Sequence, residues 1–191
     1  MTMSSALETI APGFLVAAPA LHDPNFDKTV VLMCVHNEQG AMGLVINRPS
    51  PMSLQDIMDQ LGVICEQRVD QAAMMGGPVA LDSGLLLYEA EADVELAEDE
   101  LNVTDHLRLC PNREMLHRIG RGEGPSRYMM FLGHSGWGPG QLEWEFSQGA
   151  WIPTQMRPEL VFSVPFEERW EEALRGEGLH PGQIGSFRPQ A

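Results

Sequence analysis

Residues 131–145 read FLGHSGWGPGQLEWE, and this stretch decides how the chain is assembled. An apolar run that begins at Phe131 is followed by four glycines in eight residues and then by a segment typical of a helix. Glycine is needed where the backbone takes a positive φ or where a neighbouring group comes too close for a Cβ. We therefore predict a strand that enters a well-defined glycine turn, with Pro139 in the first turn of a helix that ends at Gly149.

The N-terminal half of the chain alternates apolar runs with turn signals, which predicts short strands. Phe14–Ala20 and Thr29–Val35 are apolar nearly throughout, as in strands that are buried on both faces. The second of these is expected to pair with Gly43–Asn47 through a four-residue loop, Asn37–Gly40. Residues 29–47 are therefore expected to form one β-hairpin.

The rest of the chain combines helices with short strands. Ser53 is expected to cap a short helix that Gly62 ends. A second helix is expected to start near Pro111, and a last one covers Glu167–Arg175. Strands are predicted at Leu85–Tyr88, Tyr128–Leu132, Trp151–Ile152 and Leu160–Phe162.

The composition indicates one domain. With 191 residues and 43% hydrophobic content, the chain can bury a substantial core. We expect a single domain over 1–191, with a short N-terminal tail at about 1–10 and a coil-rich C-terminal tail at about 176–191. No apolar run approaches the roughly 20 residues of a membrane helix, so no membrane contact is expected. Three cysteines without a C-x-x-C pair favour a reducing, cytoplasmic location.

The charge distribution argues against nucleic acid as a direct partner. The 27 acids and 12 bases give a formal net charge of -15, which repels phosphate backbones and anionic membranes. Glu89–Asp105 contains many acids and no base, and is expected to be a solvated loop with a short edge strand. Arginines between residues 108 and 127 form the one local basic cluster, but Glu114 and Glu123 interrupt it.

Ser135 is a candidate nucleophile, because it lies on a glycine turn between a predicted strand and a predicted helix. A nucleophile elbow, G-x-S-x-G, needs a glycine two residues after the serine so that strand and helix can pack closely. Trp137 occupies that position here. The pattern therefore favours a structural turn, with a serine hydrolase as the alternative, and no catalytic residue is assigned.

The same turn is a candidate anion site, because backbone N–H groups at a helix start can bind phosphate. However, the spacing of Gly136, Gly138 and Gly140 matches neither a dinucleotide fingerprint nor a P-loop. Pro139 also removes one N–H donor, and Glu143 would repel phosphate unless it points away. The sequence therefore disfavours a phosphate or nucleotide site.

Two acids and three tryptophans near this turn are further candidates. Glu143 and Glu145 lie about 200° apart around a helix, so they cannot form an acid/base pair on one face. Trp137, Trp144 and Trp151 could line a ligand groove or could belong to the core or a subunit interface. The histidines and cysteines form no metal-binding pattern, so no metal site and no cofactor are predicted.

Four ordered motifs give the chain a family resemblance. They are FLVA at 14–17 with DPNF at 23–26, GLVINRP at 43–49, GGPV at 76–79 and GWGPGQLE at 136–143. Together these motifs resemble the bacterial YqgE/AlgH family over nearly the whole chain. At Gly133-His134-Ser135 the family pattern more often has an aromatic residue and alanine, so the resemblance assigns no function to His134 or Ser135.

The resemblance implies a single α+β domain with a mixed, strongly curved or barrel-like β-sheet flanked by helices. It implies no established reaction, although the family name is associated with transcriptional regulation of exopolysaccharide production. We therefore expect a non-enzymatic binding or regulatory protein, with a small-molecule-binding protein or a hydrolase using residues 133–145 as the alternative. A protein partner is possible, and the sequence leaves the oligomeric state open. The candidate ligand-binding residues, expected to fix turns around one shallow surface, are Asn47, Arg48, Gly76, Gly77, Gly136, Trp137, Gly138, Gly140, Gln141 and Glu143.

The charge argument is tested by an electrophoretic mobility-shift titration with genomic DNA fragments at low salt. We expect no retarded band at micromolar protein, because the negative field of the whole protein opposes contact with phosphates. A salt-sensitive shift at that protein concentration would contradict this expectation.

Overall fold

The computed structural model describes residues 9–92, 94–111, 113–180 and 182. The two expected tails therefore lie largely outside the described residues. The described strands are β1 (Gly13–Ala17), β2 (Val30–Asn37), β3 (Gly40–Val45), β4 (Pro49–Ser53), β5 (Ala72–Met75), β6 (Val79–Glu89), β7 (Leu101–Thr104), β8 (Leu107–Cys110), β9 (Tyr128–Trp137) and β10 (Trp151–Thr154). The described helices are α1 (Leu54–Gln60), α2 (Glu114–Gly120), α3 (Gln141–Ser147), α4 (Pro158–Phe162) and α5 (Arg169–Gly176). An α+β fold is therefore confirmed.

The strands form one mixed sheet in the order β10-β1-β2-β3-β9-β6-β8-β7, with β4 and β5 attached to the side through β9. Neighbouring strands are antiparallel except for β5 and β9, which run parallel. The sheet is open in the described residues, because β10 and β7 form its two ends. The described sheet is therefore not closed, and the barrel-like description is supported only in part. The sheet nevertheless bends far enough for β7 to contact β2.

Residues on the two faces of the sheet enter different hydrophobic clusters. In β2, Val30 and Leu32 face a cluster that includes α4 and α5, whereas Val31 and Met33 face one that includes α3. Alternation with a period of two produces this division. A third cluster joins α1 and α2 to β6 and β9, for example through Met130. Burial on both faces explains why these strands are apolar nearly throughout.

Several predicted elements are confirmed with small shifts in their bounds. The hairpin of β2 and β3 is present, but the two strands are separated by only two residues because β2 extends to Asn37. Ser53 caps α1 in a capping box with Asp56, and the hydrogen bond from the Ser53 side chain lowers the pKa of Asp56. The last helix, α5, buries Trp170 and Leu174 on one face.

The predicted strand Leu160–Phe162 was wrong, because these residues form the end of α4. Pro158 occupies the first turn of this helix, where its missing N–H is not needed. Leu160 and Val161 are both fully buried, so the short run carries no alternation that would distinguish a strand from a helix.

The predicted glycine turn was also longer than the one observed. Strand β9 continues to Trp137 and pairs there with Ala41 of β3, so the turn is confined to residues 138–140. Gly140, with a φ of 74°, is the N-cap of α3, and Pro139 precedes the helix instead of lying in its first turn. Gly133 has a φ of 68° inside the strand, so part of the glycine content bends β9 and does not end it.

Gly76 and Gly77 let the chain after β5 approach β9 without a side chain between them. A Cβ on Gly76 would lie 2.3 Å from the carbonyl oxygen of Gly133, and one on Gly77 would lie 2.3 Å from the carbonyl carbon of His134. The hydroxyl of Ser135 donates to the Gly76 carbonyl at 3.1 Å. This junction therefore requires glycine for steric reasons.

We expect Gly77→Ala to destabilise the fold by about 3 kcal/mol or more, because it adds a clash with β9 to an unfavourable positive φ. Gly122→Ala is the matched control: Gly122 also has a positive φ, of 74°, but a Cβ there would meet nothing within 4 Å. We expect the control to lose only about 1 kcal/mol. Urea denaturation of both variants measures the difference, and equal losses would refute the steric explanation.

Candidate functional site

A cavity of about 430 Å³ lies between α3 and the loop that follows β1. We call it the aromatic pocket and define it by the lining residues Leu21, Asp23, Phe26, Trp144, Glu145 and Trp151. Gln141, one of the candidate residues from the sequence, also lines it. Hydrophobic walls with a few oriented polar groups are the usual composition of small-molecule sites.

The carboxylate of Glu145 is held in one orientation by three neutral donors. The indole N–H groups of Trp137 and Trp151 both donate to Oε2, at 2.9 and 2.7 Å. The side-chain amide of Gln141 donates to Oε1 at 3.0 Å, and Gln141 is itself fixed because its Oε1 accepts the backbone N–H of Gly138 at 3.0 Å. The glycine turn therefore positions a carboxylate on the wall of the pocket.

Three aromatic rings pack against one another beside this carboxylate. Phe26 stacks on Trp137 with a centroid separation of 6.1 Å and meets Trp151 edge-on at 5.4 Å. Trp137 and Trp151 are also edge-on, at 6.0 Å. In contrast, Trp144 is 63% exposed at the cavity, although a large aromatic side chain is usually covered in a folded monomer.

Asn47 and Arg48 hold the loop that carries Phe26. The Arg48 guanidinium donates to the carbonyl oxygens of Pro24 and Asn25 at 3.0 and 2.6 Å, and to that of Asp27 at 3.0 Å. Asn47 accepts the Val30 N–H and donates to the Lys28 carbonyl, at 2.9 and 2.8 Å. These two residues do not line the cavity themselves, but they hold the loop that forms one of its walls.

Glu143 points away from Glu145 and contacts His36. The two side chains are 3.0 Å apart, between Glu143 Oε1 and His36 Nε2. Because the Ile10 N–H donates to His36 Nδ1, the neutral ring carries its proton on Nε2 and donates it to Glu143. The backbone N–H of Glu143 and then the His36 side chain lower the pKa of Glu143. This contact therefore stabilises the fold above the ordinary pKa of glutamate and is lost as the pH falls through the lowered value.

The ten candidate residues do not all meet at one place, and only Gln141 lines the aromatic pocket. Trp137, Gly138, Gly140 and Gln141 form or support the aromatic pocket, and Glu143 lies just outside it. Asn47 and Arg48 hold its loop, whereas Gly76 and Gly77 contact β9 upstream of it. Gly136 lies in β9 opposite Met42. Sequence reasoning missed Asp23, Phe26 and the central part played by Glu145.

Ser135, the candidate nucleophile, is fully buried. Its hydroxyl donates to the Gly76 carbonyl, so it joins two parts of the sheet. Among the described residues, no group of three or more His, Cys, Asp or Glu side chains could hold a metal ion. In the same part of the chain, no helix is long and apolar enough to cross a membrane.

Other cavities in the described part of the chain contain none of the candidate residues, and the two larger ones show the difference. One of about 380 Å³ lies between α1 and α2 and is lined mainly by apolar side chains such as Leu86 and Leu116. Another cavity, of about 650 Å³, lies beside the acid-rich residues that follow β6, and its lining includes Leu107 and Phe162. The aromatic pocket differs from both because a fixed carboxylate and an exposed tryptophan share its wall.

We expect Arg48→Lys to loosen the loop wall, because a lysine ammonium cannot span the three carbonyls that the guanidinium fork reaches. The free energy of unfolding should fall by about 1 to 3 kcal/mol. Hydrogen exchange at the Phe26 and Asp27 amides, which both donate to the Asp23 carbonyl, should accelerate. Arg113→Lys is the control, since Arg113 is exposed and its side chain makes no cap hydrogen bond. Unchanged hydrogen exchange at both amides would show that the Arg48 guanidinium does not hold this loop.

Comparison with known proteins gives a consistent family. A family model described as AlgH-like matches residues 14–182. A UPF0301 protein from Anaeromyxobacter dehalogenans strain 2CP-C is 40% identical over 178 residues, which cover 90% of each chain. One from Paracoccus denitrificans is 38% identical over 169 residues, covering 87% of this chain and 89% of the relative. The names of these relatives state no reaction, ligand or partner.

Solved structures agree with this result. The solution structure of the AlgH protein from Pseudomonas aeruginosa matches with a TM-score of 0.77 and 34% identity over 100% of both chains. A crystal structure from Corynebacterium diphtheriae has a TM-score of 0.72 over 94% of both chains, and its 22% identity indicates a shared fold alone. This chain therefore belongs to the AlgH-like family, the YqgE/AlgH family that its four motifs resemble.

Proposed function

We propose that this protein is a non-enzymatic binding protein whose ligand site is the aromatic pocket. The observation that carries the proposal is the carboxylate of Glu145, which Trp137 and Trp151 both orient at the cavity wall. Preorganised polar groups beside aromatic surface bind ligands without the entropic cost of ordering them first. The exposed Trp144 supplies a further aromatic surface at the same cavity.

The chemistry of the lining supports binding over catalysis. The described side chains of the lining include no serine, cysteine, histidine or lysine. Its carboxylates are those of Asp23 and Glu145, and Glu145 already accepts three hydrogen bonds. The hydrolase alternative gains no support from Ser135, because its hydroxyl is buried and directed at a backbone carbonyl.

The protein would have a regulatory role if a partner molecule binds it differently when the pocket is occupied and when it is empty. Trp144 is suited to that role, because a ligand that covers it changes the protein surface at α3. The net charge of -15 favours a protein partner over direct contact with DNA. We place this activity in the cytoplasm, where reducing conditions suit a chain with three cysteines and no C-x-x-C pair.

The proposal is tested by NMR titration of ¹⁵N-labelled protein with a library of neutral, anionic and cationic fragments. Ligands of the pocket should shift the indole signals of Trp137, Trp144 and Trp151. Trp170 is an internal control, because its side chain packs in the cluster that includes α4 and α5 and does not line the pocket, so its signal should move least.

Two variants connect such shifts to the pocket. Trp144→Ala should weaken binding and leave the fold intact, because the side chain is exposed. Ile64→Ala is the matched control, since Ile64 is a large hydrophobic residue, 84% exposed, outside the pocket lining. The proposal fails if no fragment shifts the three indole signals at millimolar concentration, or if Trp144→Ala binds as well as the wild type.

A further inference from the structure

We propose that the ligand of the aromatic pocket is an organic cation, an inference that rests on the binding function proposed above. The lining contains the carboxylates of Asp23 and Glu145, and no Lys, Arg or His side chain lines it in the described part of the chain. An anionic ligand would bring like charges together, whereas a cation would balance them.

Glu145 carries a charge that the described protein does not balance. Its three hydrogen-bond donors are neutral indole and amide groups, and it takes part in no ion pair with a described residue. Oε2 accepts two hydrogen bonds and Oε1 accepts one, so Oε1 retains a free lone pair. An ammonium or guanidinium N–H can donate there and form a charge-assisted hydrogen bond.

The aromatic walls favour the same class of ligand. Phe26, Trp144 and Trp151 line the cavity, and the faces of such rings attract cations within about 6 Å of the ring centroid. The chain already makes this contact elsewhere, since Lys28 Nζ lies 5.8 Å from the centroid of the Trp170 ring. Carboxylates next to aromatic rings are a combination that suits ammonium groups with an apolar body.

The surrounding charges do not reverse this preference. Arg48 holds the loop wall, but its guanidinium donates to three backbone carbonyls there and is absent from the cavity lining. Glu143, in the first turn of α3, adds a further acid near the pocket. The formal charge of -15 also draws cations toward the protein from a distance.

An ammonium or guanidinium group can come from a free amine or from a lysine or arginine side chain of a partner. Isothermal titration calorimetry distinguishes these sources with two free cations and a short lysine-containing peptide. Choline has no N–H and tests the aromatic walls and charge alone, whereas butylammonium can also donate to Glu145. Tighter binding of the peptide than of butylammonium indicates a partner side chain, and equal or weaker binding indicates a free amine. The uncharged carbon isostere of choline and butyrate are the controls for charge.

We expect the cations to bind and both charge controls to bind at least about tenfold more weakly. Glu145→Gln keeps an oxygen that can accept the indole N–H groups but removes the charge, and should weaken cation binding about tenfold. Asp23→Asn, at an exposed position, should weaken it in the same direction without affecting folding. Glu66→Gln removes an exposed charge outside the lining and should leave the affinity unchanged.

Two results overturn the assignment. If the uncharged isostere or butyrate binds as tightly as choline and still shifts the indole signals of Trp137 and Trp151, the pocket binds ligands but does not select cations. In that case the binding function stands and the cation inference fails. If Glu66→Gln weakens binding as much as Glu145→Gln, a diffuse field explains the affinity and the pocket assignment fails. An absence of indole shifts with every fragment class removes the proposed function itself.

Discussion

Strand β9 is the element on which the rest of the structure depends, because it pairs with β3, β5 and β6. A strand has two edges, so three partners are possible only if they use different parts of its length. The contact with Gly76 and Gly77 makes this division possible, since side chains there would strike the β9 backbone. Gly133 inside β9 serves the same close packing, since a Cβ there would lie 2.7 Å from the Gly77 carbonyl oxygen.

The pairing of β9 with its neighbours also determines the geometry of the aromatic pocket. Trp137 is the last residue of β9, so its ring position follows from the pairing with β3. Its indole N–H then fixes Glu145, which belongs to the helix that begins after the turn at 138–140. On the opposite wall, Arg48 follows β3 and holds the loop that carries Phe26. Pocket geometry is therefore set by the central sheet on both sides.

The sequence predicted those parts of the molecule that have local signals. The capped helix α1 and the hairpin of β2 and β3 each depend on residues close in sequence, so their signatures were readable. Leu160–Phe162 could not be assigned, because three apolar residues do not distinguish a strand from a short buried helix. The extension of β9 through its glycines was missed for a different reason. Pairing with β3 and with Val79 of β6, both far away in sequence, keeps those residues extended.

The same limit applies to the pocket, since its parts come from two segments, residues 20–26 and 137–151, that lie far apart in sequence. The tryptophans were recognised as possible ligand-binding residues, but Phe26 lies far from them in sequence and Glu145 has no motif of its own. No sequence pattern shows that two indole N–H groups and one side-chain amide donate hydrogen bonds to the same carboxylate. The three donors use both carboxylate oxygens, so an apolar side chain at that position would leave two buried indole N–H groups without an acceptor. The carboxylate therefore serves the packing of the pocket wall, and its remaining lone pair is the part that a cationic ligand would use.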